Sequence, residues 1–183
     1  KDHKVTNEMV DNKLKPALDA FHTLCAVYEL TEYEAETTMQ DPDISDVGGT
    51  ADFIAAGEDV VCIGDWKFGD GISVSPYESA QGMFYAMLAR QAIPDLFEGR
   101  DRLLIAIIQP SARGEDTLKT WETDMKTLDD FEAEFFVQVE YAKTGEQTPK
   151  PGDHCKWCPA APTCPAKTGL IIQAQRLDPT QLK

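Results

Sequence analysis

Apolar and polar side chains recur along this chain with two distinct periods. Between residues 8 and 25 the apolar positions are Val10, Leu14, Ala17, Leu18, Phe21, Leu24 and Cys25. Steps of three and four place them on one stripe of a helix. Pro16 interrupts the stripe and has no amide hydrogen, so a kink or restart is expected there. Over residues 30–39 the period drops to two. Tyr33, Ala35 and Met39 fall on one side and Glu32, Glu34 and Glu36 on the other, which predicts a strand with an apolar face and an acidic face. Residues 40–49 read as a loop. Thr50–Ala55 and Val60–Lys67 predict two strands, joined as a hairpin across the Gly57-Glu58-Asp59 turn. Ser75-Pro76-Tyr77-Glu78 has the form of a capping box with Pro at the first helical position. The helix it predicts carries Ala80, Met83, Phe84, Met87 and Leu88 on its apolar face. Leu103–Gln109 is an apolar run rich in Ile and stopped by Pro110, the pattern of a buried central strand. Residues 116–121 predict an edge strand. Leu128, Phe131, Phe135, Val139 and Ala142 predict a further amphipathic helix over 128–143, ending near Gly145.

In order, these elements make an α/β domain: a small mixed central sheet flanked by helices. It occupies residues 1–147. From Thr148 the chain turns rich in Pro and Cys, and residues 148–183 form a Cys-rich metal-binding segment and tail. A length of 183 residues fits one sizeable domain with such an appendage. Hydrophobic residues make up 42%, enough for a real core and too many for wholesale disorder. The chain has no apolar run of about 18 residues, so no membrane span is expected. Its first ten residues are polar and charged, unlike a signal peptide. It opens on Lys1 rather than on Met, which fits a fragment or a processed form. The five cysteines are odd in number and three of them crowd into Cys155–Cys164. That suits metal binding better than disulfides and points to a reducing, cytoplasmic setting.

Seventeen Lys and Arg stand against 32 Asp and Glu, a net charge of −15. Such a charge excludes a basic, non-specific nucleic-acid coat. It does not exclude a nuclease, whose metal-holding carboxylates count as negative in the sum. Asp65 and Lys67 are two apart on a strand and share a face, and Asp52 lies on the strand paired with it across the hairpin. Two close carboxylates repel unless a cation or proton sits between them. Hard oxygen ligands suit Mg²⁺ or Mn²⁺, which can polarise a phosphodiester and acidify water. Lys67 would then position the attacking water or stabilise the charge at phosphorus. Taken alone, this pattern fits solvated strand-end charges equally well.

Three stretches stand in order: Gly49-Thr50-Ala51-Asp52, then Asp65-Trp66-Lys67, then Gln81-Gly82-Met83-Phe84-Tyr85. Together with the cysteines downstream, this set resembles the PD-(D/E)xK nuclease superfamily, RecB-like branch, across residues 30–165. The resemblance is closest to phage and prophage members. It implies a restriction-endonuclease-like fold with metal ligands at Asp52, Asp65 and the backbone carbonyl of Trp66. It further implies a catalytic Lys67, with Gln81 and Tyr85 touching that lysine or the DNA strand. An upstream acidic residue commonly joins such a site; Glu36 is the choice here and Glu34 its competitor. The branch usually carries a histidine motif on a preceding helix. His22 lies on such a helix in surroundings unlike that motif and reads as a surface or packing residue, leaving room for the motif before Lys1.

Cys155-Lys156-Trp157-Cys158 and Cys164 form C-x2-C-x5-C, stiffened by Pro159, Pro162 and Pro165. The C-x2-C part is a chelate loop in which both thiolates reach one metal. In the resembling family this spacing supplies three ligands of a [4Fe–4S] cluster, with the fourth upstream. Cys25 is the upstream candidate; Cys62 sits mid-strand and reads as core, and the ligand could also precede Lys1. His154 with Cys155, Cys158 and Cys164 offers a Zn²⁺ site instead. Either would act as a staple.

Three functions compete. The first is a metal-dependent DNA nuclease, an exonuclease on single strands or ends, in phage or prophage DNA processing. It requires basic residues gathered locally, such as Lys67, Arg90, Arg100, Arg102 and Lys156, or a loading protein partner. The second is a catalytically silent nuclease fold that binds DNA or protein. The third is a zinc-knuckle interaction protein.

Overall fold

A single helical stretch opens the computed structural model, which describes residues 4–44, 46–69, 72–112, 114–145 and 148–169. The stretch comprises α1 (Asn7–Met9), a π-helical turn (Val10–Leu14) and α2 (Lys15–Val27). The expected irregularity falls just before Pro16. The Lys15 amide reaches five residues back to the Val10 carbonyl, and Pro16 then sits in the first turn of α2, where its missing N–H leaves no bond unmade.

Five strands follow: β1 (Glu32–Gln40), β2 (Gly48–Ala56), β3 (Val60–Trp66), β4 (Arg102–Ile108) and β5 (Leu118–Asp124). They form one sheet in the order β1-β2-β3-β4-β5. All neighbours are antiparallel except β3 and β4, which are parallel. A parallel pair needs a crossover. Here it is α3 (Ala80–Ala92). The architecture is thus the mixed α/β sheet flanked by helices that the hydrophobic pattern predicts.

Two local expectations are corrected. Ser75 does not cap α3. Its hydroxyl accepts from the Tyr77 amide at 3.1 Å, closing a short turn. Glu78 then takes φ +48°, a left-handed conformation that ends any helical run started at Pro76. Ser79 is the cap, accepting from the Gly82 amide at 3.2 Å. The apolar face expected of β1 is not buried either: Tyr33 is 70% exposed and Met39 alone of the strand is buried. An edge strand whose first half is left uncovered has nothing to bury that face against.

The sheet is packed on both sides. On one, Ala17, Ala20 and Leu24 of α2 meet Phe53, Ala55, Cys62, Leu104, Ala106 and Ile108. On the other, α3 contributes Gly82, Met83, Ala86, Met87 and Ala89. Gly82 lies so close to Ile105 that a Cβ there would come within 2.5 Å of its Cγ2. Gly64 is held by the same kind of constraint. It pairs with Phe53, whose ring covers the bare backbone, and a Cβ at Gly64 would fall 1.8 Å from Phe53 Cζ. These contacts lock the end of β3, where Asp65 stands.

After β5, Asp124 accepts from the Thr127 amide and hydroxyl, both at 2.7 Å, at the start of α4 (Met125–Lys143). The chain divides into two compact units, Lys1–Phe135 and Phe136–Lys183, and α4 runs through the boundary. The first holds the sheet. The second holds the later part of α4 and a 3₁₀ turn at Asp153–Lys156. Residues 170–183 of the expected C-terminal segment lie outside the described residues. Among those described, no helix is long and apolar enough to cross a membrane.

Candidate functional site

The sheet register brings the acidic residues into one row. β2 pairs with β3 as Phe53↔Gly64, so the next position along sets Asp52 opposite Asp65. β1 pairs with β2 as Ala35↔Phe53 and Thr37↔Ala51, which sets Glu36 opposite Asp52. Opposed residues on neighbouring strands point to the same face. Glu36, Asp52 and Asp65 therefore lie across three adjacent strands on one rung. Glu34 is displaced by two residues along β1, opposite Ile54. The register before and after Glu36 is unchanged, so no residue is inserted, yet Glu36 takes φ +52°. A left-handed glutamate inside a strand costs on the order of 1–2 kcal/mol. Glu36 is exposed, and the fold holds it in this conformation.

Asp52 and Asp65 are tied differently. Asp52 Oδ2 accepts from the Trp66 amide at 2.7 Å, so a carboxylate takes the place of a ladder carbonyl at the end of β3. Asp65 Oδ1 accepts from Gln81 Nε2 at 3.2 Å, and Oδ2 lies 2.6 Å from Lys67 Nζ. That second oxygen is sealed from solvent and has no well-directed hydrogen bond, so the ammonium is its charge partner by proximity alone. The Asp65 side chain is 14% exposed and that of Lys67 31%. The Lys67 amide extends the parallel ladder by donating to the Ile108 carbonyl at 2.9 Å, which fixes the backbone just past β3.

Trp66 lies between the two charged residues, and its indole faces the other side of the sheet, against Phe21, Phe53 and Phe68. Gln81 is in the first turn of α3 and touches Asp65. Tyr85, one turn further on, is half-buried; its Cε1 would be 2.8 Å from a Cβ at Gly49. Gly49 thus leaves the room that Tyr85 fills. His22 is exposed on α2 beside Phe21, as a helix-surface residue would be.

Three carboxylates on a rung with one ammonium leave negative charge in excess, which favours a cation. The donor set, all oxygens, is of the kind Mg²⁺ and Mn²⁺ take. Asp65 Oδ2 is the oxygen best prepared for one, since it is desolvated without a directed hydrogen bond. The carboxylates are aligned but not gathered: among the described residues no three His, Cys, Asp or Glu side chains close around a single point. Lys67 Nζ occupies the position beside Asp65 that a cation would take.

The expected basic lining is corrected at its three arginines, Arg90, Arg100 and Arg102. Arg100 donates to the Gly57 and Leu96 carbonyls and to Glu32. Arg102 is shared between Asp59 and Glu122, and it pairs with Val60 at the opposite end of β3 from Asp65. Arg90 pairs with Asp129 and Glu132. Each arginine lies beside a carboxylate of a neighbouring element, so these three charges hold the fold together and do not line the rung.

Of the cysteines, Cys62 is fully buried in the core, as its mid-strand place predicts. Cys25 packs against the same cluster, and burial pushes its thiol pKa up, favouring the neutral form. In the second unit Cys155 and Cys164 are half-buried and Cys158 is exposed. The Cys155 thiol accepts from the Gly152 amide at 3.4 Å. Neither these three nor His154 close around one point.

Two residues carry more of the neighbourhood than the sequence indicates. Gln109 is 3% exposed. Its amide donates to the Ile72 carbonyl at 3.1 Å and accepts from the Val74 amide at 3.0 Å, pinning the segment between β3 and α3. Lys119, on β5, donates to Ser73 Oγ at 2.6 Å and to Gln109 Oε1 at 3.3 Å. The polar end of an otherwise apolar strand, and a lysine on an edge strand, were the available signals.

Solved structures similar to this chain include an alkaline exonuclease (LHK-Exo) from Laribacter hongkongensis, at 10% identity and a TM-score of 0.32, covering 78% of this chain and 76% of that one. The same protein in complex with dAMP aligns at 10% identity and a TM-score of 0.31, with the same coverage of 78% and 76%. SSO0001 aligns at 17% identity and a TM-score of 0.35, covering 88% of this chain and 72% of that one. At scores of this size the shared chain path is partial. None of the curated proteins matches the chain. The sequence model of one family, described as "Protein of unknown function (DUF2800)", matches residues 26–182, and the chain belongs to that family.

Proposed function

We propose that this protein is a metal-dependent nuclease of the PD-(D/E)xK, RecB-like type that hydrolyses phosphodiester bonds in DNA, as an exonuclease on single strands or ends. One observation carries the reading: Glu36, Asp52 and Asp65 share a rung, with Lys67 2.6 Å from Asp65 on the same face. Asp52, Asp65, the Trp66 carbonyl and Glu36 would hold Mg²⁺ or Mn²⁺. When bound, the ion neutralises charge on the phosphate and lowers the pKa of water. Lys67 moves from Asp65 to the phosphate, where its ammonium offsets charge growing on the non-bridging oxygens. Gln81 then holds Asp65 in place through its 3.2 Å bond. In the step itself a water oxygen bonds to phosphorus while the bond from phosphorus to the departing sugar oxygen breaks. The water gives its proton to solvent, and the leaving oxygen takes one up. Tyr85, on the helix face of Gln81, borders the strand path. Cys155, Cys158 and Cys164 would hold a [4Fe–4S] cluster or, with His154, Zn²⁺, as a staple; a brown absorbance shoulder on the isolated protein separates the two.

The deciding experiment incubates the protein with labelled single- and double-stranded DNA in Mg²⁺, Mn²⁺ or EDTA, beside Lys67→Ala. Metal-dependent cleavage that falls at least about 100-fold in the variant is expected. Equal, metal-independent background in both overturns the reading. The excess of acid over base and the pairing of Arg90, Arg100 and Arg102 with carboxylates favour the silent, protein-binding alternative, and that second outcome is what it predicts.

A further inference from the structure

An acidic protein that works on a polyanion needs cations whose charge is not already taken. Arg90, Arg100 and Arg102 are all committed to carboxylates. Lys119 is different. It is half-buried, and among the described residues it bonds to a hydroxyl and an amide oxygen, Ser73 Oγ and Gln109 Oε1, rather than to a carboxylate. Its position is tied to the candidate site by the sheet: Asp65 pairs with Ile107, and Ile107 pairs with Lys119. Lys119 therefore continues the rung of Glu36, Asp52 and Asp65 on the same face, two strands beyond Asp65. Two strand spacings come to about 10 Å, roughly the span of three nucleotides at the stacked rise of about 3.4 Å each.

The ammonium is held in advance. Gln109 cannot turn, because its oxygen takes the Val74 amide while its nitrogen gives to the Ile72 carbonyl. Its oxygen is thereby aimed at Lys119, and two of the three ammonium hydrogens are spoken for, leaving one to donate. Lys119 lines a hollow of about 580 Å³ together with Ser73, Tyr77, Thr120, Glu115 and Asp116. Tyr77 is 64% exposed, and its ring stands edge-on to Trp121 at 5.7 Å, so a wide aromatic surface is rigidly presented. Glu115 and Asp116 line the other side of the hollow, and their charge disfavours phosphate there relative to the Lys119 side.

We propose that Lys119 and Tyr77 form a nucleotide subsite, Lys119 binding a backbone phosphate of single-stranded DNA two or three nucleotides from the scissile one and Tyr77 stacking on its base. The subsite rests on the nuclease reading. Its test measures binding without cleavage: anisotropy of a labelled oligothymidylate with the full chain in EDTA, over a range of NaCl concentrations. Lys119→Met keeps the stem and removes the charge. It should weaken binding several-fold at low salt and shallow the log–log salt slope by about 0.7, the value of one phosphate contact on a single strand. Lys119→Arg should keep the slope, and Tyr77→Ala should weaken binding with the slope unchanged. Wild-type affinity and slope in Lys119→Met overturn the subsite while leaving the nuclease reading intact. Wild-type protein that binds no oligonucleotide and cleaves none overturns both.

Discussion

Asp52 serves the backbone and the candidate chemistry at once, and the two roles can be pulled apart. Its Oδ2 satisfies the Trp66 amide at 2.7 Å. Asp52→Asn retains an acceptor oxygen there and loses only the charge, so stability should stay within about 1 kcal/mol of the parent by urea denaturation. Asp52→Ala leaves the amide unpaired and should cost about 1–3 kcal/mol. Both should lose metal-dependent cleavage; if Asp52→Asn retains it, Asp52 is an anchor and nothing more. The period of two was enough to put Asp65 and Lys67 on one face, and the structure has them 2.6 Å apart. Choosing between Glu36 and Glu34 was beyond it, because both occupy the same face of β1. Only the pairing of β1 with β2 sets Glu36 opposite Asp52.

Among the elements, α3 matters most to the candidate site, since its first turn delivers Gln81. Its start tests local signature against actual capping. Ser79→Ala should cost about 1 kcal/mol in thermal or urea unfolding, the usual loss of a helix cap. Ser75→Ala should stay within about 0.5 kcal/mol. The reverse order would restore the capping box. The sequence of Ser75 to Glu78 satisfies every local preference for a helix start. It fails because Glu78 adopts φ +48° and so breaks the run before it begins. The buried strand β4 was legible because its apolar run is unbroken, and β3 because the Gly57-Glu58-Asp59 turn sets it off as the second arm of a hairpin. The exposure of β1 was not, because alternation reports which residues share a face and says nothing about whether another layer covers it.

At the scale of the whole molecule, burial and net charge set the response to solvent. Burial, with the nearby Cys25 adding to it, pushes the Cys62 thiol well above the ordinary value of 9.0. A group raised in this way leaves stability untouched below the unfolded pKa. Above it the unfolded chain releases a proton that the folded chain retains, and stability falls as pH rises. For Cys62 the fall should begin near the ordinary thiol value of 9.0. It should reach up to about 1.4 kcal/mol per pH unit. Cys62→Ala is less stable throughout but should show a shallower decline in denaturant midpoints taken from about pH 8 to about pH 10.5. Parallel declines would mean that Cys62 titrates no differently folded than unfolded.

The charge of −15 is a property of the sequence, and the α/β class, the order of the elements, the core strand and the Asp65–Lys67 pair were determined there too. All of these follow from composition or from repeats a few residues long. Tertiary structure decided what depends on neighbours distant in the chain. It set three carboxylates on one rung, paired three arginines with acids away from it, and joined Lys119 to Ser73 and Gln109 two strands beyond Asp65. Periodicity assigns a side chain to a face. Strand pairing alone decides which side chains on that face meet.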